Sequence, residues 1–173
     1  VDVFAALSSL ESGQASNLIN LKSNVAVSSG DKLVLDFKVK MEGTANRMQY
    51  AFRLIPDSQY RVNGNSGYLG LFGHDFTPGT TLAAGCDANI ADVDAVNTTD
   101  TVHFKMEIDI STGNWTVYKD GKLDKTGTYP DGTATVTAAQ ILNGCTSCIL
   151  RTQTAGVTYN FTDIALYCIK AGA

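Results

Sequence analysis

The chain has 173 residues, 44% hydrophobic and 17% charged, which suits one globular domain with a sizeable core and excludes a disordered chain. Lysine plus arginine number 13 against 17 aspartates plus glutamates, a formal net charge of -4 without any extended basic run. Nucleic acid is therefore excluded as a partner on charge, and no stretch reaches the roughly 18 apolar residues of a membrane helix.

The first strand signal is short, Asn24 to Val27. From Lys32 to Met41 the residues Leu33, Leu35, Phe37, Val39 and Met41 alternate with Val34, Asp36, Lys38 and Lys40. Side chains alternate across a strand, so this is a strand with one buried face. Met48, Tyr50, Phe52 and Leu54 repeat the pattern against Gln49, Ala51, Arg53 and Ile55. Tyr60 to Val62 and Gly67 to Phe72 are shorter strand candidates, separated by the turn residues Asn63-Gly64-Asn65. His74 to Thr101 reads as a long, polar loop, and long ordered loops are often functional.

Val102, Phe104, Met106, Ile108 and Ile110 alternate with His103, Lys105, Glu107 and Asp109. Ile110 to Trp115 then reads as a hairpin turn into a strand from Trp115 to Lys119, closed by the Asp120-Gly121 turn pair. Val136 to Leu142 is the one helical stretch. Ile149 to Gln153 and Val157 to Ile169 complete the strands, the last with a turn or bulge near Thr162-Asp163, where alternation changes phase. Sixteen glycines against three prolines agree with many tight turns. The fold class expected is all-β, a two-sheet antiparallel β-sandwich. The chain begins at Val1 with neither a methionine nor a signal peptide, and ends in the small residues of Lys170 to Ala173. It is read as one secreted domain, residues 1–173, of a processed protein or a larger one.

The four cysteines are Cys86, Cys145, Cys148 and Cys168. An even count in a secreted chain permits two disulfides in three pairings. Cys145-Thr146-Ser147-Cys148 also has redox or zinc-site spacing, but a second close pair and a βαβ context are both missing. Structural disulfides are the expectation.

The run from His103 through Gly113-Asn114-Trp115 to Val117-Tyr118-Lys119-Asp120-Gly121-Lys122 resembles the concanavalin A-like or laminin-G-like jelly roll. Gly30 to Lys40 is similar to the first long strand of that group, and Tyr159 to Tyr167 to its last. The resemblance implies a jelly-roll sandwich that presents a sugar-facing surface, in the manner of carbohydrate-binding modules joined to parent enzyme domains in one polypeptide. One fold hosts many functions, so the site must carry the argument.

Sugar recognition needs aromatic faces for stacking and fixed polar groups for the hydroxyls. Tyr50, Tyr60, Tyr68, Phe72, Phe76, Trp115, Tyr118 and Tyr129 are the aromatic candidates, with Tyr50 assigned to the core by its phase. Gln49 and Arg53 point away from the apolar face of their strand, and Arg151 and Gln153 are read the same way. Tyr60, Arg61, Asn63, Asn65 and Tyr68 cluster around an Asn-Gly turn and form the leading ligand-binding candidate. Trp115 divides evenly between a stacking platform and a core plug.

Catalysis is not expected. Glu107 and Asp109 have the spacing of one strand face, but Ser111, Thr112 and Gly113 occupy the positions where a second catalytic glutamate would stand in jelly-roll hydrolases. His74 and His103 are the two histidines; His74 is read as a surface loop residue. Asp87, Asp92 and Asp94 supply oxygen ligands of the kind a structural calcium takes. They lack the glycine and closing glutamate of an EF-hand, and solvated loop acids are the expectation. The functional expectation is a non-catalytic carbohydrate-binding module for a polysaccharide or glycan. The alternative is a structural or adhesive surface protein such as a fibre, capsid or cell-surface subunit.

Overall fold

Period-two alternation becomes burial in β3, Lys32–Gly43, and β7, Val102–Asp109. Leu35, Phe37, Val39, Met41, Phe104, Met106 and Ile108 are all buried, while Lys38 and Lys40 are exposed. The computed structural model describes residues 10–11, 16–20, 25–43, 50–55, 69–74, 88–94, 99–129, 147–152 and 157–172. Among these, the other strands are β1 Leu10–Glu11, β2 Ser16–Asn20, β4 Tyr50–Ile55, β5 Leu69–His74, β6 Ala88–Val93, β8 Asn114–Lys119, β9 Lys122–Thr128, β10 Ser147–Thr152 and β11 Val157–Ile169.

They form two sheets. One has six strands in the order β1-β11-β3-β7-β8-β9; the other has five in the order β2-β10-β4-β5-β6. The inner faces meet in an aromatic core. Phe37 lies 4.7 Å from Phe52, 5.3 Å from Phe72 and 5.8 Å from Phe104, ring centroid to centroid. Tyr50 meets Phe161 and Tyr159 edge-on at 5.2 and 5.5 Å. With Phe72 5.5 Å from Phe104, these contacts tie β4 and β5 of one sheet to β3, β7 and β11 of the other, and such pairs add about 0.5–1.5 kcal/mol beyond their buried area. The Tyr50 assignment to the core holds.

The expected sandwich is present, with local differences. The β5–β6 pair is parallel, whereas every other pairing is antiparallel among the described strands. A parallel pair needs a connection of roughly a dozen residues, and residues 75–87 supply one of that length. The expected loop from His74 to Thr101 is therefore corrected: it contains β6, with Ile90, Ala91 and Val93 buried. The surface-loop reading of His74 is corrected too. It ends β5, fully buried, its ring stacked on Tyr50 at 4.8 Å and 5°.

Residues 25–28 are not a strand, although Val25 and Val27 are buried. β9 had no expectation because its residues, Lys-Leu-Asp-Lys-Thr-Gly-Thr, are mostly exposed and carry no apolar alternation. It exists because the Asp120-Gly121 turn returns the chain along β8. The phase change in β11 is present: the register with β3 shifts between Thr162 and Ala165, and Asp163 takes a φ of 52°. Tyr60 to Val62, the Asn63-Gly64-Asn65 turn and Val136 to Leu142 lie outside the described residues. So do Cys86 and Cys145; Cys168 is a free thiol whose Sγ donates to Asp31 Oδ2 at 3.7 Å. The disulfide expectation is not met at Cys168.

Candidate functional site

Strand phase builds the site. The residues of β7 that alternate with its core positions are His103, Lys105, Glu107 and Asp109, and all face away from the inter-sheet core, half-buried. Pairing with β3 sets Asp36 opposite Lys105 and Val34 opposite Glu107. Pairing with β8 sets Tyr118 opposite Lys105 and Thr116 opposite Glu107. On the far side, Tyr167 of β11 stands opposite Val34. Val34 is fully buried although it stands apart from the inter-sheet cluster, so this outer face has an apolar floor.

Two polar pairs lie on that floor. His103 Nε2 is 2.6 Å from Asp36 Oδ1; a carboxylate only accepts, so the imidazole donates through Nε2–H. Lys105 Nζ donates to Glu107 Oε1 at 2.9 Å. That hydrogen bond raises the pKa of Lys105, with further support from the charges of Glu107, Tyr167 and Asp36 against partial burial, and keeps it an ammonium. Tyr118 is thus the direct cross-strand neighbour of Lys105, while Tyr167 stands two strands away on the same face of the sheet.

The rim comes from a turn. Asp120 and Gly121 both have positive φ, 49° and 78°, the type I′ geometry that matches strand twist and favours Asp-Gly. The turn is pinned to β7: Asp120 N–H donates to His103 O at 2.8 Å, and His103 N–H donates to Asp120 Oδ1 at 2.9 Å. His103, Lys105, Glu107, Tyr118 and Gly121 enclose an open pocket of about 280 Å³, near the small end of ligand sites, roughly 300 Å³ upward.

Asp109 does not join it. Its carboxylate accepts from the Ser111 hydroxyl at 2.6 Å and from the Ser111 and Thr112 N–H groups at 2.9 and 3.2 Å. The Ser111 hydroxyl chiefly, then these amides, lower its pKa. The two acids of the Glu107-Ile-Asp109 pattern thus have separate structural partners.

The sequence-derived binding residues fare unevenly. Trp115 is corrected: it is only 8% exposed and packs in the inter-sheet core, the plug rather than the platform. Its side chain lies over Gly127, its cross-strand partner on β9. Phe72 and Tyr129 are buried as well. Arg53 is a residue of β4, opposite Ile149, and Arg151 a residue of β10, opposite Ala51. Gln49, Tyr60, Arg61, Asn63, Asn65, Tyr68 and Gln153 lie outside the described residues. Asp92 belongs to β6 rather than a loop, and Asp94 follows it, exposed and 3.3 Å from Lys125 Nζ; Asp87 lies outside the described residues. No helix among the described residues is long and apolar enough to cross a membrane.

Sequence reasoning had the outward phase of Glu107 and counted Tyr118 among the aromatics, but missed Asp36 and Tyr167. Alternation alone puts Asp36, His103, Lys105 and Glu107 on outer faces. Bringing them together takes the β3–β7 register, which joins residues 67 positions apart.

No protein-family profile matches the chain, and no curated protein matches it in sequence. Solved structures do match. The carbohydrate recognition domain of Emp46p in its potassium-bound form has a TM-score of 0.54 at 8% identity, over 90% of this chain and 79% of that one. The fold is the concanavalin A-like jelly roll. A structure titled for the dependence of botulinum neurotoxin type C cell entry on two ganglioside molecules shares the jelly roll at a TM-score of 0.52 and 9% identity, over 96% of this chain and 42% of that one. Alginate lyase AlyC3 shares it at 0.50 and 6% identity, over 94% and 74%. At such identities the likeness defines the jelly roll and leaves its ligand to the site.

Proposed function

We propose that this chain is a non-catalytic carbohydrate-binding module, secreted and carried by a larger polypeptide. The observation that carries the reading is the open pocket beside Tyr118, lined by the Lys105–Glu107 pair and by His103, which Asp36 holds from outside the lining. A sugar offers an apolar ring face and hydroxyls that both donate and accept, and this pocket offers the complement. Strand-borne side chains hold position better than loop-borne ones, which lowers the ordering cost of binding.

Catalysis finds little support here. Hydrolysis of a glycosidic bond uses two carboxyls as acid and as base or nucleophile. On this face Asp36 is held by His103, Glu107 by Lys105, and Asp109 by the 111–112 turn. The neighbours named for carbohydrate recognition and for ganglioside interaction agree with a binding role, while an alginate lyase among them makes enzymatic assay a necessary control.

The adhesive-protein reading would draw on the β9 edge, where Leu123 is 63% exposed. That edge also carries Lys122, Asp124 and Lys125, and charge on an edge strand opposes strand-to-strand association.

The test is an immobilised screen of β-glucans, xylans, mannans, pectins and host glycans, with calcium and with chelator, beside assays for released reducing ends and unsaturated uronates. Saturable binding to one glycan class without product release upholds the reading. Product release, or binding to no glycan, overturns it.

A further inference from the structure

We infer that the ligand is a neutral oligosaccharide lying across the strands of the six-stranded sheet, one ring against Tyr118 and its chain running over Lys105 toward Tyr167. This rests on the carbohydrate-binding reading and adds the location and the charge class of the sugar.

The charge class follows from pairing. A uronate or sulfated sugar needs an uncommitted cation, by preference one that forks onto its anionic group. At this site His103 is taken by Asp36 at 2.6 Å and Lys105 by Glu107 at 2.9 Å. Farther along β3, Lys38 is taken by Asp163 at 3.1 Å and Lys40 by Glu42 at 2.8 Å. In the pocket an anion would have to break a pair and would then face its released carboxylate; Lys32, the other lysine in this phase of β3, lies at the start of the strand opposite Asp109, away from the pocket lining. A neutral hydroxyl needs no such exchange. The Lys105 ammonium has three donors, one of them used by Glu107, and Glu107 retains a second oxygen to accept a hydroxyl hydrogen.

The direction follows from register. Tyr118 on β8 and Tyr167 on β11 are separated by β7 and β3, three inter-strand steps or about 14 Å across at ~4.8 Å each, and by two residues, about 7 Å, along the strands, so the path between them is diagonal. Both are half-buried, and between them lie Lys105, Glu107 and Asp36, with Val34 as floor. The enclosed volume at the Tyr118 end is small, and the remainder of the path is open sheet. A single sugar engages one tyrosine; a longer chain reaches both.

The experiment uses isothermal titration of the whole chain with neutral gluco-, xylo- and manno-oligosaccharides of one to six units, and with oligogalacturonates and sulfated oligosaccharides, at low and at 0.5 M salt. The variants are Tyr118→Ala, Tyr167→Ala and Glu107→Gln, each checked for native circular dichroism and melting. The expected result is neutral-sugar affinity that rises with chain length and changes little with salt. Tyr118→Ala should lower it about tenfold, and Tyr167→Ala should lower it for the longer ligands alone. Glu107→Gln, by releasing Lys105, should weaken neutral binding and create measurable oligogalacturonate binding. Preference of the wild type for anionic sugars with steep salt dependence overturns the inference, and so does neutral binding untouched by Tyr118→Ala and Glu107→Gln. In both cases the module reading survives with another ligand or another face. Binding to no sugar removes the reading and the inference together.

Discussion

The Trp115 side chain packs directly on Gly127, the residue opposite it across the β8–β9 pair. A Cβ at position 127 would stand 2.3 Å from Trp115 Cζ2 and 2.5 Å from Cε2. Glycine on the edge strand thus makes room for the indole that closes this end of the core. Gly127→Ala should destabilise the domain by about 1–3 kcal/mol through overpacking, and Trp115→Ala by about 3–5 kcal/mol through the cavity it leaves. Urea midpoints at constant m-value would measure both; a neutral Gly127→Ala would show that the indole is free to move away.

The same burial has an optical consequence. Trp115 is the only tryptophan in the sequence and sits in the inter-sheet core, so its emission should be blue-shifted and poorly quenched by iodide. Saturating saccharide should leave it nearly unchanged, because the pocket is on the opposite face of the sheet. A large shift on binding would restore Trp115 as a stacking platform.

Tyr50 offers a rarer test. Its hydroxyl is buried without a hydrogen-bond partner, and burial holds its pKa well above the ordinary tyrosine value, so it stays neutral. A buried unsatisfied hydroxyl costs free energy, and its removal at constant ring shape returns that cost. Tyr50→Phe is expected to be neutral or to raise stability by up to ~1 kcal/mol; a loss of more than that by thermal or urea melting would mean that the hydroxyl has a partner in solution.

Acid stability should report on Asp31. This buried carboxylate accepts from Ala171 N–H at 2.9 Å, Ser28 N–H at 2.8 Å and Lys170 Nζ at 3.1 Å, clasping the end of β11 to the 28–31 turn. These bonds, the Ala171 amide first, lower its pKa from 3.8 to about 2. On acidification the unfolded chain takes up this proton before the folded one does. The stability that Asp31 contributes is therefore full above about pH 4 and drains away as pH falls through 2. Asp31→Asn should lower the urea midpoint at pH 6, with the gap to wild type closing toward pH 2. A gap independent of pH would refute the assignment.

What was legible in the sequence follows from what strands encode locally. Lys32 to Met41, Val102 to Ile110 and Val157 to Ile169 declare themselves because each residue's burial depends on its own strand's phase, and the Asp120-Gly121 turn because φ > 0 is a property of two residues. The bulge at Thr162-Asp163 was visible for the same reason. β9 and β6 were not, since an exposed edge strand needs no apolar pattern and a short parallel strand is created by its neighbour.

The sequence by itself determined the class of fold and the outward side of β7, where His103, Lys105 and Glu107 lie in one phase. Only the tertiary structure decided that Asp36 meets His103, that Tyr118 stands beside Lys105 with Tyr167 farther across the same face, that His74 is buried and that Trp115 is core. Those facts depend on pairing between strands distant in the chain, and register across a sheet is set by the whole packed core rather than by any local run of residues.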